Sequence, residues 1–326
     1  MVWQGGRVMR CPPRRVVVLL VAALVALPLV LLIPGGSARS VAGPLCPGSQ
    51  TLSCEQLVEL GLSYPYAREP GSYLFVNGVA YRYARVTRRL LDDSVVVAGD
   101  RRMRVGRLLA RLGLARLGEQ PLTPVLAYGS NANVDALTRK FVTRLFPHPT
   151  AIPVLAGRVR GYDVAWSPQF SFNGALPATI ARSPGTTARV WVNWVNREQL
   201  EHMNATEGVG EMYALGRLRA PLRFPGPSLG APMVYVACAG KLRARGRSWA
   251  VARVRASRRR FAQTDAAGAL RLVAPTLGWT RSVFDLVLTG VADAGLRSAR
   301  SRRIRHLGRR ARAPRLETLI PCPARP

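Results

Sequence analysis

The chain has 326 residues, enough for one large domain or two small ones, and its 48% apolar content is ordinary for a folded protein. Its charge is not ordinary: 48 Lys+Arg against 17 Asp+Glu leave a formal +31, and all the basic residues except Lys140 and Lys241 are arginine. Arginine is spread through apolar and loop stretches alike, without an aromatic-interleaved basic motif or a helix-turn-helix signature, so nucleic-acid binding is set aside. An anionic membrane or envelope surface remains open as a partner for the charge.

Residues 1–15 carry Arg7, Arg10, Arg14 and Arg15 and no acid, and read as a cytoplasmic basic n-region. Residues 16–33 are uncharged and as a helix would extend about 27 Å, the depth of a bilayer's hydrocarbon core. The run is a transmembrane anchor or a signal h-region. Its length argues for the anchor, while Ser40-Val41-Ala42 offers a small-x-small cleavage site. Either way the flanking arginines put the body outside the cytoplasm, at the cell membrane or secreted. Cys46, Cys54, Cys238 and Cys322 lie beyond the run and allow two disulfides in three connectivities. Cys46–Cys54 with Cys238–Cys322 is the first expectation, and free buried thiols are the alternative.

Residues 43–122 form a lead-in region without a functional motif. Tyr73 to Tyr83 contains Asn77-Gly78, a type I′ hairpin signal. Val95-Val96-Val97-Ala98-Gly99-Asp100 begins a second hairpin, and residues 105–117 read as an Arg-rich amphipathic helix. The region adds an edge or lid to the domain beginning at residue 123, or stands as a small domain of its own.

Val125-Leu126-Ala127 then reads as a short buried strand that breaks into Tyr128-Gly129-Ser130-Asn131. Gly129 permits a turn that side chains with a Cβ resist, and Ser130 and Asn131 are turn and cap residues. Val134, Leu137 and Phe141 repeat at helical spacing just beyond. A strand, a tight turn and a helix start aim backbone N–H groups at one point, which suits a carboxylate or a developing oxyanion. Further strand material lies at 154–166, 178–180, 188–195 and 232–237, with a short helix over 198–206, a mixture that implies an α+β fold.

The order Tyr128-Gly129-Ser130-Asn131, then Ala178-Thr179-Ile180…Ser183-Pro184-Gly185, then a helix ending in Glu207-Gly208, then Tyr213 resembles the γ-glutamylcyclotransferase family over residues 123–240. The resemblance implies a small, partly closed mixed β-barrel flanked by helices. It also implies a reaction that turns a γ-glutamyl amine or peptide into 5-oxoproline and a free amine. Glu207 would be the general acid/base, taking a proton from the substrate's α-ammonium and passing it to the leaving nitrogen. Tyr128, Gly129, Ser130 and Asn131 would hold the α-carboxylate or the oxyanion, and Tyr213 would wall the pocket. Tyr235 is a further wall candidate, although core packing is the preferred reading of both tyrosines. Glu201 and Glu211 are read as solvent-facing. The nucleophile belongs to the substrate, so neither a cofactor nor a metal is called for. Ala132 departs from the family, which commonly has leucine after the tetrapeptide, and the 207–213 loop is short.

Residues 241–326 form an Arg-rich extension expected to be helical over 250–261, 266–273 and 282–288, with a basic run at 302–312. Rival chemistries have less to stand on. Ser130 as a nucleophile would need a histidine, and His148, His202 and His306 fall in no recognisable arrangement. His202 and Glu207 are not at the spacing of a one-face metal pair, and no Cys-x-x-Cys, phosphate loop or dinucleotide fingerprint occurs. A binding protein that keeps the fold without catalysis is the alternative from a different functional class.

Overall fold

Ser53 opens the first helix with a capping box: its hydroxyl accepts from Gln56 N–H while the Gln56 amide accepts from Ser53 N–H. The computed structural model describes residues 45–47, 49, 52–309 and 315–324, all within one compact unit that spans 43–326. The expected n-region, the 16–33 span, the cleavage signal and part of the 302–312 basic run lie outside the described residues. Among the described residues no helix is long and apolar enough to cross a membrane.

After α1 (Cys54–Ser63), strands β1 (Tyr73–Val76) and β2 (Val79–Arg85) make the expected hairpin. Its Asn77-Gly78 turn has φ of 44° and 92°, the left-handed values of a type I′ turn. The second hairpin also forms, from β3 (Val95–Ala98) and β4 (Arg101–Arg104). Helix α2 (Val105–Arg111) is shorter than the sequence pattern implied, because Gly113 at φ 72° leaves the helical region just past its end. Next come β5 (Thr123–Ala127), α3 (Val134–Phe141), β6 (Ala151–Trp166) and β7 (Ala178–Val195). The two strands expected at 178–180 and 188–195 are one strand of 18 residues. Ser183-Pro184-Gly185 is absorbed as a bulge where the β6–β7 register shifts at Tyr162.

Helix α4 (Arg197–Glu207) leads into β8 (Tyr213–Leu218), β9 (Leu222–Arg223) and β10 (Met233–Ala237). The extension begins with β11 (Lys241–Ala244), β12 (Arg247–Val251), β13 (Ala256–Ser257) and β14 (Ala262–Thr264). The helix expected over 250–261 is therefore corrected to strands. Arg245 and Gly246, both at positive φ, turn the chain into the β11–β12 hairpin, and β12 then pairs with β14 and with β6. Those pairings outweigh a helical-looking spacing. Helices α5 (Ala266–Val273), α6 (Val283–Ala292) and α7 (Ala294–Ile304) come next, then β15 (Gly308–Arg309) and β16 (Leu316–Ile320).

The sheet runs β16-β8-β10-β5-β7-β6-β1-β2-β3-β4. The expected partly closed barrel is corrected to an open sheet: the N-terminal hairpins carry the path past β6, and β16 and β4, at its ends, do not pair. The class is α+β, as expected. Strand β5 lies inside, parallel to β10 and antiparallel to β7. Its side chains alternate between faces, Leu126 joining one buried cluster and Val125 and Ala127 the other. Helices α3 and α4 cover the second cluster with Leu137, Phe141 and Met203, each apolar side chain contributing about 1.5–3 kcal/mol by burial. The disulfides pair Cys46 with Cys54 and Cys238 with Cys322, the first expectation.

Candidate active site

Buried β5 ends at Ala127, and the chain then leaves the sheet through Tyr128 and Gly129 into one 3-10 turn, Ser130–Ala132. Asn133 caps α3, its side chain accepting from Ala136 N–H at 2.8 Å, and its amide also donates to Ala67 O. The cap thus ties the start of α3 to the segment just beyond α1. On the facing side, Asn196 and Gln199 cap α4 reciprocally, and Gly208 at φ 64° stops the helix one residue after Glu207. The last turn of α3 and the last residue of α4 meet over the turn at the end of β5.

Three side chains close this junction. Lys140 Nζ lies 2.5 Å from Glu207 Oε1 and donates to Asn131 Oδ1 at 3.0 Å. Asn131 Nδ2 donates to the same Glu207 Oε1 at 3.0 Å, so the amide presents its oxygen to the cation and its N–H to the anion. The Lys140 and Glu207 side chains are 12% and 17% exposed, largely withdrawn from solvent but still reachable. Among the described residues Glu207 Oε2 has no partner, and one of the three Lys140 N–H donors is unused. Asn193, fully buried on β7, fixes the turn by donating to Asn131 O at 2.8 Å. His202 bonds the Lys140 carbonyl at 2.7 Å and takes no part in the charged cluster.

Five tyrosines lie within range of the Glu207 charge. Tyr128 OH donates to Tyr235 O at 2.5 Å, and Tyr235 OH donates to Asn204 Oδ1 at 2.8 Å. Tyr213 OH donates to Ala178 O at 3.0 Å, while Tyr64 OH accepts from Ala178 N–H at 3.0 Å, so two phenols clasp the first residue of β7. The Tyr66 ring meets Tyr64 edge-on at 5.6 Å and lies under the Arg139 guanidinium at 5.4 Å, and its hydroxyl accepts from Asn173 Nδ2 at 2.7 Å. Burial pushes all five phenols up, Tyr66 to about 12, and the negative charge of Glu207 adds to each in smaller measure. All five phenols are therefore protonated at neutral pH. Arg68 closes the outer wall, donating to Tyr128 O at 3.2 Å and stacking on Trp191 at 5.2 Å.

The residues singled out from sequence fall into this site unevenly. Glu207 and Asn131 are in direct contact, while Tyr128 and Tyr213 are buried with their hydroxyls bonded to backbone carbonyls. Ser130 Oγ has no protein partner among the described residues, and Glu201 and Glu211 are exposed as expected. Gly129 differs in its reason: its φ is −104°, and what demands glycine is space, since a Cβ would lie 2.6 Å from Tyr64 OH. Lys140, Tyr64, Tyr66, Arg68 and Asn193 escaped the sequence reading. Only Lys140 carried a signal, as one of two lysines in an arginine-rich chain, beside Phe141 on an amphipathic helix.

No protein-family model and no curated protein matches the chain. Among solved structures, one described as a gamma-glutamyl cyclotransferase is 17% identical at a TM-score of 0.29, the match covering 36% of this chain and 66% of that one. An uncharacterized protein from Homo sapiens is 19% identical at a TM-score of 0.28, with 36% and 68% covered. The chain spans just under two thirds of the length of the first, and the likeness to both is weak.

Proposed function

We propose that this chain is a γ-glutamylcyclotransferase-like enzyme that cyclises a γ-glutamyl amine or peptide to 5-oxoproline, with Glu207 as its general acid/base. The observation that carries the reading is Glu207 itself. Its carboxylate is held through one oxygen by Asn131 and Lys140, keeps the other free, and lies beside the turn that ends an interior strand. In the reaction the substrate's α-ammonium gives a proton to Glu207. The freed amine attacks the γ-carbonyl, the new N–C bond closes a five-membered ring, and the old C–N bond breaks. The attacking nitrogen sheds a second proton as the ring forms, and the departing nitrogen, receiving both protons by way of Glu207, leaves as an ammonium, so no water is consumed. Holding amine and carbonyl in near-attack geometry supplies much of the rate. Tyr128, Gly129, Ser130 and Asn131 border the reacting groups, and Tyr213 walls the pocket. The reading includes export of the body, on an anchor or after cleavage within the first residues. Two disulfides suit an oxidising compartment.

A second reading, a non-catalytic binding protein on the same fold, is favoured by one feature: Tyr64 OH fills the space directly before Gly129. The test is 5-oxoproline release by the full chain, disulfides formed, from γ-glutamyl amino acids and amines, with Glu207→Gln alongside. The expected outcome is product from the wild type and a loss of about 10²–10⁴-fold in the variant with its fold retained. Product undiminished in Glu207→Gln would remove Glu207 from the chemistry. No product from a folded wild type across the panel would leave the binding reading.

A further inference from the structure

The geometry points to Lys140 as the residue that takes the substrate's α-carboxylate, so that the Lys140–Glu207 pair recognises a free α-amino-acid head group as a zwitterion. The inference deepens the cyclotransferase reading and rests on it. Its starting point is how little of the pair's bonding capacity the described residues use. Glu207 receives both of its donors, Lys140 Nζ and Asn131 Nδ2, on Oε1. Lys140 commits two of its three N–H groups, to Glu207 Oε1 and Asn131 Oδ1. A free acceptor and a free donor of opposite charge thus stand side by side, in side chains 17% and 12% exposed.

An α-amino acid head carries the complementary pair, an ammonium and a carboxylate on one carbon. Docked with its ammonium on Glu207 Oε2 and its carboxylate on the third Lys140 N–H, it meets an opposite charge at each end. The protein's own ion pair stays intact while it does so. A ligand with only one of the two charges fares worse. A simple amine meets a carboxylate already neutralised at 2.5 Å by Lys140, and a simple acid meets an ammonium already neutralised by Glu207. Asn131 orients both members, so the two free sites are fixed before the ligand arrives. With the α-carboxylate on Lys140, the Gly129–Asn131 turn is left for the oxygen of the γ-carbonyl, where negative charge develops. Selection is thus for γ-glutamyl compounds with both α-groups free, and peptides extended through the α-carboxyl are excluded.

The test compares γ-L-glutamylglycine with its α-carboxamide in 5-oxoproline release by the full chain. In parallel, calorimetric binding compares L-glutamate with its α-carboxamide, ligands with no amine to expel. The wild type is expected to favour the free acid by about ten- to hundredfold in kcat/KM, chiefly through KM, and by a similar factor in affinity. In Lys140→Met that ratio should fall to near one, and Lys140→Arg should restore part of it. Equal use of acid and amide by an active wild type, or a preference that survives in Lys140→Met, would overturn the inference and leave the cyclotransferase reading standing. An absence of product combined with a Lys140-dependent preference for glutamate would do the reverse. Should Lys140→Met fail to fold, the wild-type comparison of acid with amide decides.

Discussion

Two withdrawn ion pairs differ in how fully their carboxylate oxygens are used. Arg259 and Asp163 are 10% and 0% exposed in their side chains. Asp163 Oδ2 accepts from Arg259 Nε at 3.0 Å, and Oδ1 accepts from Arg259 Nη2 at 3.1 Å and from Val164 N–H at 2.8 Å. The guanidinium also reaches Gln263 Oε1 and Val254 O, which pins the β13–β14 connection onto β6. Both carboxylate oxygens are used. Lys140 and Glu207 carry the same charges at a similar degree of burial, yet among the described residues one oxygen takes every donor and the other none. A saturated pair can only hold the protein together. An unsaturated one can also hold something else.

The largest expected effect breaks the saturated pair. Asp163→Ala strands the Arg259 guanidinium and should cost about 3–5 kcal/mol of stability by thermal or denaturant unfolding. Burial pushes the Asp163 carboxyl above its usual range, and Arg259 offsets that only in part. The pair is therefore costly to break without being a large net gain, as expected of buried pairs. Glu207→Gln keeps an oxygen for Lys140 and Asn131 and should cost about 1 kcal/mol. Equal destabilisation by the two substitutions would make the Glu207 pair a strut like the other.

Why the sequence revealed one member of the unsaturated pair and hid its partner comes down to distance along the chain. Glu207 and Asn131 stand inside short motifs, and helix ends with local caps at Asn133, Asn196, Asp265 and Ser282 are marked by residues a few positions away. Lys140 meets Glu207 across 67 positions, and Tyr64 meets Ala178 across 114, from a segment with no motif of its own. Such contacts depend on the tertiary fold alone. The same holds for β12 and β13, whose two to five residues are strands only because β6, β7 and β14 lie beside them. The open sheet was hidden for a related reason: closure is decided by whether the edge strands meet, and no local pattern encodes that.

A second prediction sharpens the contrast through pH, because buried tyrosines lie within range of the Glu207 charge. Tyr66 is the clearest case, its phenol raised from 10.0 to about 12 by burial first and by Glu207 in smaller measure. Below pH 10 the phenol is protonated in both the folded and the unfolded chain and adds no pH dependence. As pH rises above 10 the unfolded chain ionises while the folded one does not, so stability falls by about 1.4 kcal/mol per pH unit until the folded group also titrates. The alkaline loss in the wild type should therefore exceed that of Tyr66→Phe, by about 3 kcal/mol once pH passes 12. Unfolding monitored by circular dichroism across pH 9–12 measures it. Identical alkaline profiles would mean that Tyr66 ionises freely and is not withdrawn from solvent in the folded chain.

The smallest effect probes the space in front of the turn. A Cβ at residue 129 would meet Tyr64 OH at 2.6 Å, and nothing else in its surroundings comes as close. Tyr64 cannot simply swing away: it is 7% exposed, its hydroxyl is bonded to Ala178 N–H, and its ring packs on Trp166 at 5.8 Å. Gly129→Ala should therefore cost about 1–3 kcal/mol as an overpacking strain. Tyr64→Phe removes the one atom in conflict, while leaving the Ala178 N–H without its acceptor. In the double variant the two costs should not add, since each residue's loss includes the other's contact. A coupling near zero would show that Gly129 is required by its backbone after all. A clear coupling would identify Tyr64 as the side chain that limits what reaches the turn, on the side of the molecule where the unsaturated pair stands ready.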